Sequence, residues 1–171
     1  MDDVDILKRA SDYKELHCWQ YDIRLKNLSN DIVASGLPIE EIGSLTVGDF
    51  EFRVISNKDE KDRAVESIKR HEWLGTITQY TTHWFGAYYK NILAGVTTMG
   101  VPNAFSKMLG DRTSELERLI SRGACISWSP VGLASHFLMW CVRYMAKNTP
   151  YRLFTAYSDP TAREVGKIYQ E

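Results

Sequence analysis

Residues 151–171 read YRLFTAYSDPTAREVGKIYQE, and the reading of this stretch decides the fold. Tyr151–Tyr157 is a run of aromatic, aliphatic and β-branched residues, the composition of a buried strand. Ser158-Asp159-Pro160 ends it. Pro160 has a fixed φ and no N–H to donate, so it suits the first turn of a helix. The pattern predicts a helix over Thr161–Gln170 with Ser158 or Asp159 as its cap. Asp159 then lies at the carboxyl end of a strand, just ahead of a helix N-terminus. In open α/β sheets that edge is where ligands bind. Tyr169 falls near the far end of the helix, so an acid and a phenol are set to face one cleft. The plainer reading of the same residues is structural, with Asp159 a cap and Tyr169 a packing residue.

Upstream, Trp128–Asn148 carries Leu133, Phe137, Trp140, Cys141, Tyr144 and Met145 at steps of three and four. That spacing predicts a central helix, capped by Ser127 or Ser129, with Pro130 in its first turn. A strand is expected within Glu115–Ile126. Val101–Ser114 is irregular and long enough to be a functional loop. Phe85–Gly100 reads as a hairpin turning at Lys90-Asn91. Phe50–Ile55 alternates like a strand with one wet face. Ser56 or Asn57 caps a helix over Lys58–His71. Residues 1–47 predict a helical appendage, broken at Gly36-Leu37-Pro38, and 48–171 the main domain. The break gives 31–45 a weak helix-turn-helix outline, but its second helix carries Glu40 and Glu41, which suits packing better than DNA. The order after the appendage is β-α-β-β-β-α-β-α, an α+β fold with a mixed sheet flanked by helices. A two-layer α+β domain of another kind fits the same periodicity.

Composition bounds the function. The chain has 171 residues, 44% of them hydrophobic, and a formal net charge of -1. That is enough for one core and gives no global basic signal for nucleic acid. Any nucleic-acid contact needs a local patch, for which Lys14, Arg24 and Lys26, or Lys107, Arg112, Arg118 and Arg122, are the candidates. A solvated charged face is the plainer reading of each. Cys18, Cys125 and Cys141 have no zinc spacing and suit a reducing cytoplasm. The N-terminus has no apolar signal segment, and no apolar run reaches the ~18 residues of a membrane span.

The motif TAYSDP…EVGKIYQ resembles the C-terminal signature of the Mom-type phage DNA-modification proteins, a divergent branch of the GNAT acyltransferase superfamily. There a Tyr-Ala/Ser-Asp strand end precedes a Gly-x-Ile-Tyr-Gln helix. The resemblance covers roughly residues 50–171, and its specific part is the last twenty. It implies a GNAT-like sheet, and an enzyme that adds a carbamoylmethyl group to N6 of adenine in DNA and so blocks restriction. Family members continue into a closing strand that this sequence lacks. The expectation is therefore that the N-terminal appendage, or next a second copy in a homodimer, covers the sheet edge.

The resemblance also assigns residues. The donor loop of GNAT proteins, which holds an acyl-CoA-like donor, matches Ser127–Ser135, so Ser129, Gly132 and Ser135 are its candidate contacts. This loop lacks the usual Gly-rich pattern, and Val131-Gly132 replaces an expected Asn. His71 is, on its own, a helix-end dipole partner or core group. With the resemblance, His71, Asp159 and Tyr169 match a proposed iron site. Asp159 would orient or deprotonate the amine or hold the metal, with Tyr169 its partner and Ser135 touching the donor. Tyr88 and Tyr89 point to opposite sheet faces, one toward the cleft, or else form a cross-strand aromatic pair. Two other classes stay open: an ordinary N-acetyltransferase using acetyl-CoA, and a catalytically inactive GNAT-fold DNA-binding or interaction protein.

Overall fold

Lys90 and Asn91 both take positive φ, 44° and 68°. This is the two-residue turn whose twist matches a hairpin, and it joins β2 (Thr81–Tyr89) to β3 (Ile92–Gly100). The computed structural model describes residues 18–102, 115–164 and 166–169; the expected loop at 101–114 lies largely outside them, as do Lys14, Lys107, Arg112 and the helix expected within residues 1–17. Around the hairpin, β1 (Glu51–Val54), β4 (Glu117–Cys125) and β5 (Leu153–Thr155) complete a five-stranded sheet in the order β1-β2-β3-β4-β5. All pairs are antiparallel except β4 with β5, which is parallel. The fold is α+β with a mixed sheet flanked by helices, as the element order implied.

Alternation along the strands builds two cores. Phe85, Ala87 and Met99 pack with Phe137, Cys141 and Met145 of α4 (Leu133–Asn148) on one face. Ile55, Val96 and Ala124 pack with Ala64 and Ile68 of α3 (Lys58–His71) on the other, joined by Trp84. Asn57 caps α3 by accepting from the Glu60 N–H at 2.8 Å. A third core joins Leu28 of α1 (Trp19–Ser35), Ile42 of α2 (Ile39–Ser44) and Leu45 to Phe50, Ala94, Trp128 and Leu133. The N-terminal helices therefore share a core with the sheet. Glu41 of α2 accepts from Tyr89 Oη and Lys90 Nζ at the hairpin, both at 2.6 Å. This acidic helix packs on the hairpin through Glu41.

Two expected helices differ. The central helix begins at Leu133, not Trp128, because Gly132 (φ 82°) breaks the chain ahead of it, and Trp128 fills the core instead, 1% exposed. Thr161–Gln170 is not a continuous helix over its described residues. Arg163 (φ 58°) and Gly166 (φ 66°) are left-handed, which leaves single 3-10 turns at Pro160–Ala162 and Lys167–Tyr169. A non-glycine residue at positive φ cannot propagate a right-handed helix.

Candidate functional site

The site forms where two parallel strands part. β4 and β5 pair only at Glu117↔Leu153, Arg118↔Phe154 and Leu119↔Thr155. β4 then continues to Cys125 while the other chain leaves the sheet through Ala156–Asp159. Ser121 sits at the parting as a bulge: Arg122 pairs with Thr98 and Ile120 with Met99, so Ser121 has no opposite number. Its hydroxyl instead meets Thr98 Oγ1 at 2.9 Å. A bulge reverses the facing of the residues beyond it. Ile120 packs toward α4, whereas Ala124 packs toward α3, and Arg122 joins the α3 side. Below the parting, buried Glu117 ties the strands together by accepting from Thr155 Oγ1 at 3.0 Å.

Three segments converge above it. From β4, Arg122 donates to Thr76 O (2.6 Å), Thr76 Oγ1 (3.1 Å) and its neighbour Ser121 O (2.6 Å). It is thus a clasp between β4 and the chain after α3, not an open phosphate contact. From the end of α3 comes Glu72, whose Oε2 accepts from the Gly75 N–H at 3.0 Å and whose Oε1 lies 3.7 Å from Arg122 Nε. From the C-terminal stretch comes Glu164, which accepts from Trp73 Nε1 (2.9 Å) and the Asp159 N–H (3.2 Å). The Glu72 side chain is 11% exposed. Burial pushes its carboxyl up to about 7, opposed by Arg122 and the Gly75 N–H and reinforced by Glu164. Burial likewise raises the Tyr169 phenol, helped by the charges of Glu164 and Glu72. A carboxyl and a phenol perturbed in one opening are the groups from which acid–base chemistry is built.

The structure distributes the residues expected from sequence unevenly. Tyr169 is beside this opening, and Asp159 borders it. Asp159 is spent as a turn cap, its Oδ1 accepting from the Thr161 N–H (2.8 Å) and Oγ1 (2.6 Å); the Thr161 hydroxyl and N–H hold its carboxyl below the usual range. His71 is buried elsewhere, in a network with α1. Its Nε2 lies 2.9 Å from Asp31 Oδ2 and its Nδ1 lies 3.0 Å from Ser67 O, both within hydrogen-bond distance. Asp31 also accepts from Ser127 Oγ (2.6 Å) and Arg70 (2.7 Å). Burial alone would raise the Asp31 carboxyl, but the hydrogen bonds from His71 and Ser127 hold it down at about 2. Both His71 ring nitrogens are already engaged, one with Asp31 and one with Ser67 O, while Asp159 is committed to Thr161. These residues as arranged do not fit an iron centre with Tyr169.

Tyr88 and Tyr89 lie two strands away from the parting. Tyr88 is buried beneath Arg53, whose guanidinium sits 3.8 Å from its ring centre, and donates to Glu60 at 3.3 Å. Tyr89 donates to Glu41 and packs on Phe50. Ser129, before α4, and Ser135, in its first turn, are buried. Ser135 Oγ donates to Gly132 O at 3.1 Å, and Arg24 of α1 donates to the carbonyls of Ser127 and Ser129. No side chain caps the first turn of α4, where the Leu133 N–H donates to Pro130 O at 3.2 Å. Arg118 is occupied over the Tyr151 ring, 3.6 Å from its centre.

Sequence reading missed Glu72 and Glu164. Glu72 follows directly on the helix that was foreseen over Lys58–His71, but nothing local marks a glutamate there as buried. Its burial comes from β4 and the C-terminal stretch, both remote in sequence. Compared with the models of known protein families and with curated proteins, the chain matches none.

Proposed function

We propose that the chain is a GNAT-type group transferase that acts on an amino group, with adenine N6 in DNA as the acceptor, in the manner of the Mom-type proteins. The observation that carries this reading is a coincidence of place. The stretch whose residues resemble the Mom signature, Thr155–Tyr169, borders the opening where β4 and β5 part, and that opening holds a carboxyl poised near neutrality, Glu72. A transferase needs such a group, because a neutral amine nucleophile must shed a proton as it forms its new bond. The first turn of α4, which no side chain caps, suits a phosphate-bearing donor such as a coenzyme A conjugate. Tyr157 and Tyr169, each about half exposed, stand ready to stack on an extruded base, and adenine N6 is reached only by extrusion from the duplex.

The test is restriction digestion of plasmid DNA recovered from cells expressing the chain, against DNA from cells expressing Tyr169→Ala, which removes the stacking ring. Protection at adenine-containing sites by the wild-type chain alone supports the reading. Full digestion despite strong soluble expression refutes it.

A further inference from the structure

We infer that Glu72 is the catalytic residue that accepts the proton in the transfer, and that Gln20 of α1 is the positioning residue that holds it there. The inference rests on the transferase reading above.

The geometry singles out Glu72 among the carboxylates around the opening. Glu164 has a hydrogen bond on each oxygen. Asp159 is committed to Thr161. Glu117 lies in the paired part of β4 and β5, below the opening. An ionised carboxylate can accept about four hydrogen bonds, and among the described residues Glu72 accepts one, from the Gly75 N–H on Oε2. Arg122, the nearest cation, lies 3.7 Å from Oε1 and spends its N–H groups on Thr76 and Ser121. Oε1 is therefore withdrawn from water, weakly paired and open to a proton. The groups facing it are Arg122 from β4, Gly75 from its own loop, and Glu164 with Tyr169 from the C-terminal stretch.

Gln20 fixes the backbone on both sides of this residue. Its Nε2 donates to His71 O, and its Oε1 accepts from the Trp73 N–H at 3.1 Å. Glu72 is thus the residue enclosed between two peptide groups clamped by one side chain. Trp19, next to Gln20, packs edge-on against Trp73 with ring centres 5.3 Å apart. Asn27 of the same helix donates to Arg70 O at 2.8 Å. These contacts give α1 a role in the site as well as in the core.

In the step itself, the acceptor nitrogen uses its lone pair to bond the methylene carbon of a carbamoylmethyl donor, and its N–H proton passes to Glu72 Oε1. The bond from that carbon to the donor's sulfur leaving group breaks with its electron pair going to sulfur, which takes up a proton from water.

The experiment measures the transfer rate of purified full chain on duplex DNA against pH, with undesalted extract from cells lacking the chain as donor source. Nucleosides are analysed by mass. Glu72→Gln is expected to lose about 100-fold or more, the usual contribution of a general base, with DNA binding unchanged. Wild type should show an acidic limb near pH 7, in line with Glu72. Glu164→Gln, which keeps an acceptor for Trp73, should move that limb to lower pH, and Gln20→Ala should lower the rate and displace the limb. A purely structural role for Gln20 would leave the limb in place. Transfer by Glu72→Gln within about threefold of wild type, a margin small beside that contribution, overturns the inference and leaves the transferase reading standing. Absence of transfer by the wild-type chain overturns the reading itself.

Discussion

Replacing Asp31 should uncouple the N-terminal helix from the rest of the fold. Asp31 is 3% exposed and gathers three residues: His71 and Arg70 on α3, and Ser127 ahead of α4. Asp31→Ala leaves the buried His71 and Ser127 without their partner, while the half-exposed Arg70 can turn to water. Breaking a buried charged pair from one side costs about 3–5 kcal/mol, a large share of a domain's total stability. The charge has its own pH signature. The Asp31 carboxyl is depressed in the folded chain, from 3.8 to about 2, which corresponds to roughly 2 kcal/mol. A depressed acid stabilises above its unfolded value and loses that contribution as pH falls through the folded one. The window is thus from 3.8 down to about 2. Urea unfolding followed by tryptophan fluorescence measures both effects. Asp31→Ala should lower stability by about 3–5 kcal/mol at neutral pH, and the gap from wild type should shrink as the pH is taken down through that window. A loss under ~1 kcal/mol, within the range of a surface pair, would refute the view that this network bolts α1 to the sheet.

Other outcomes follow from the same contacts. Glu72→Gln should stabilise the chain above neutrality by up to about 3 kcal/mol. A raised folded value means that stability is full below the unfolded 4.5 and is lost as pH rises through about 7; a thermal melt at pH 8 that is unchanged or lower would contradict this. Gly100→Ala would place its Cβ 2.5 Å from the backbone oxygen of Tyr80, and should cost about 1–3 kcal/mol in urea unfolding. Cys141 is fully buried, and burial pushes its thiol well up. It should react with a thiol reagent only as fast as the chain opens, and rapid labelling in the folded protein would show the α4 core to be loose.

Local chemistry made much of the fold legible. The Lys90-Asn91 turn, the Asn57 cap and the apolar spacing of Phe137, Cys141 and Met145 are each decided within a few residues. Where the reading differed, a single backbone conformation intervened. Gly132 and Arg163 take left-handed φ, and neither the late start of α4 nor the loss of the last helix shows in apolar spacing. The site was less legible. Asp159 and Tyr169 both come near Glu164, but the Asp159 carboxylate is turned to Thr161. His71 does not face the opening, because Asp31, forty residues earlier, claims one ring nitrogen. Glu72 gains its character from Arg122 and Glu164, and from burial beneath segments that no local pattern connects. Such couplings arise only once the chain has folded.

The most direct test is mass analysis of nucleosides from plasmid DNA isolated after expression of the wild-type chain. The account predicts an adenine nucleoside of increased mass, absent when Glu72→Gln is expressed at the same level. Unmodified adenine throughout, from a well-folded and abundant wild-type chain, would contradict it.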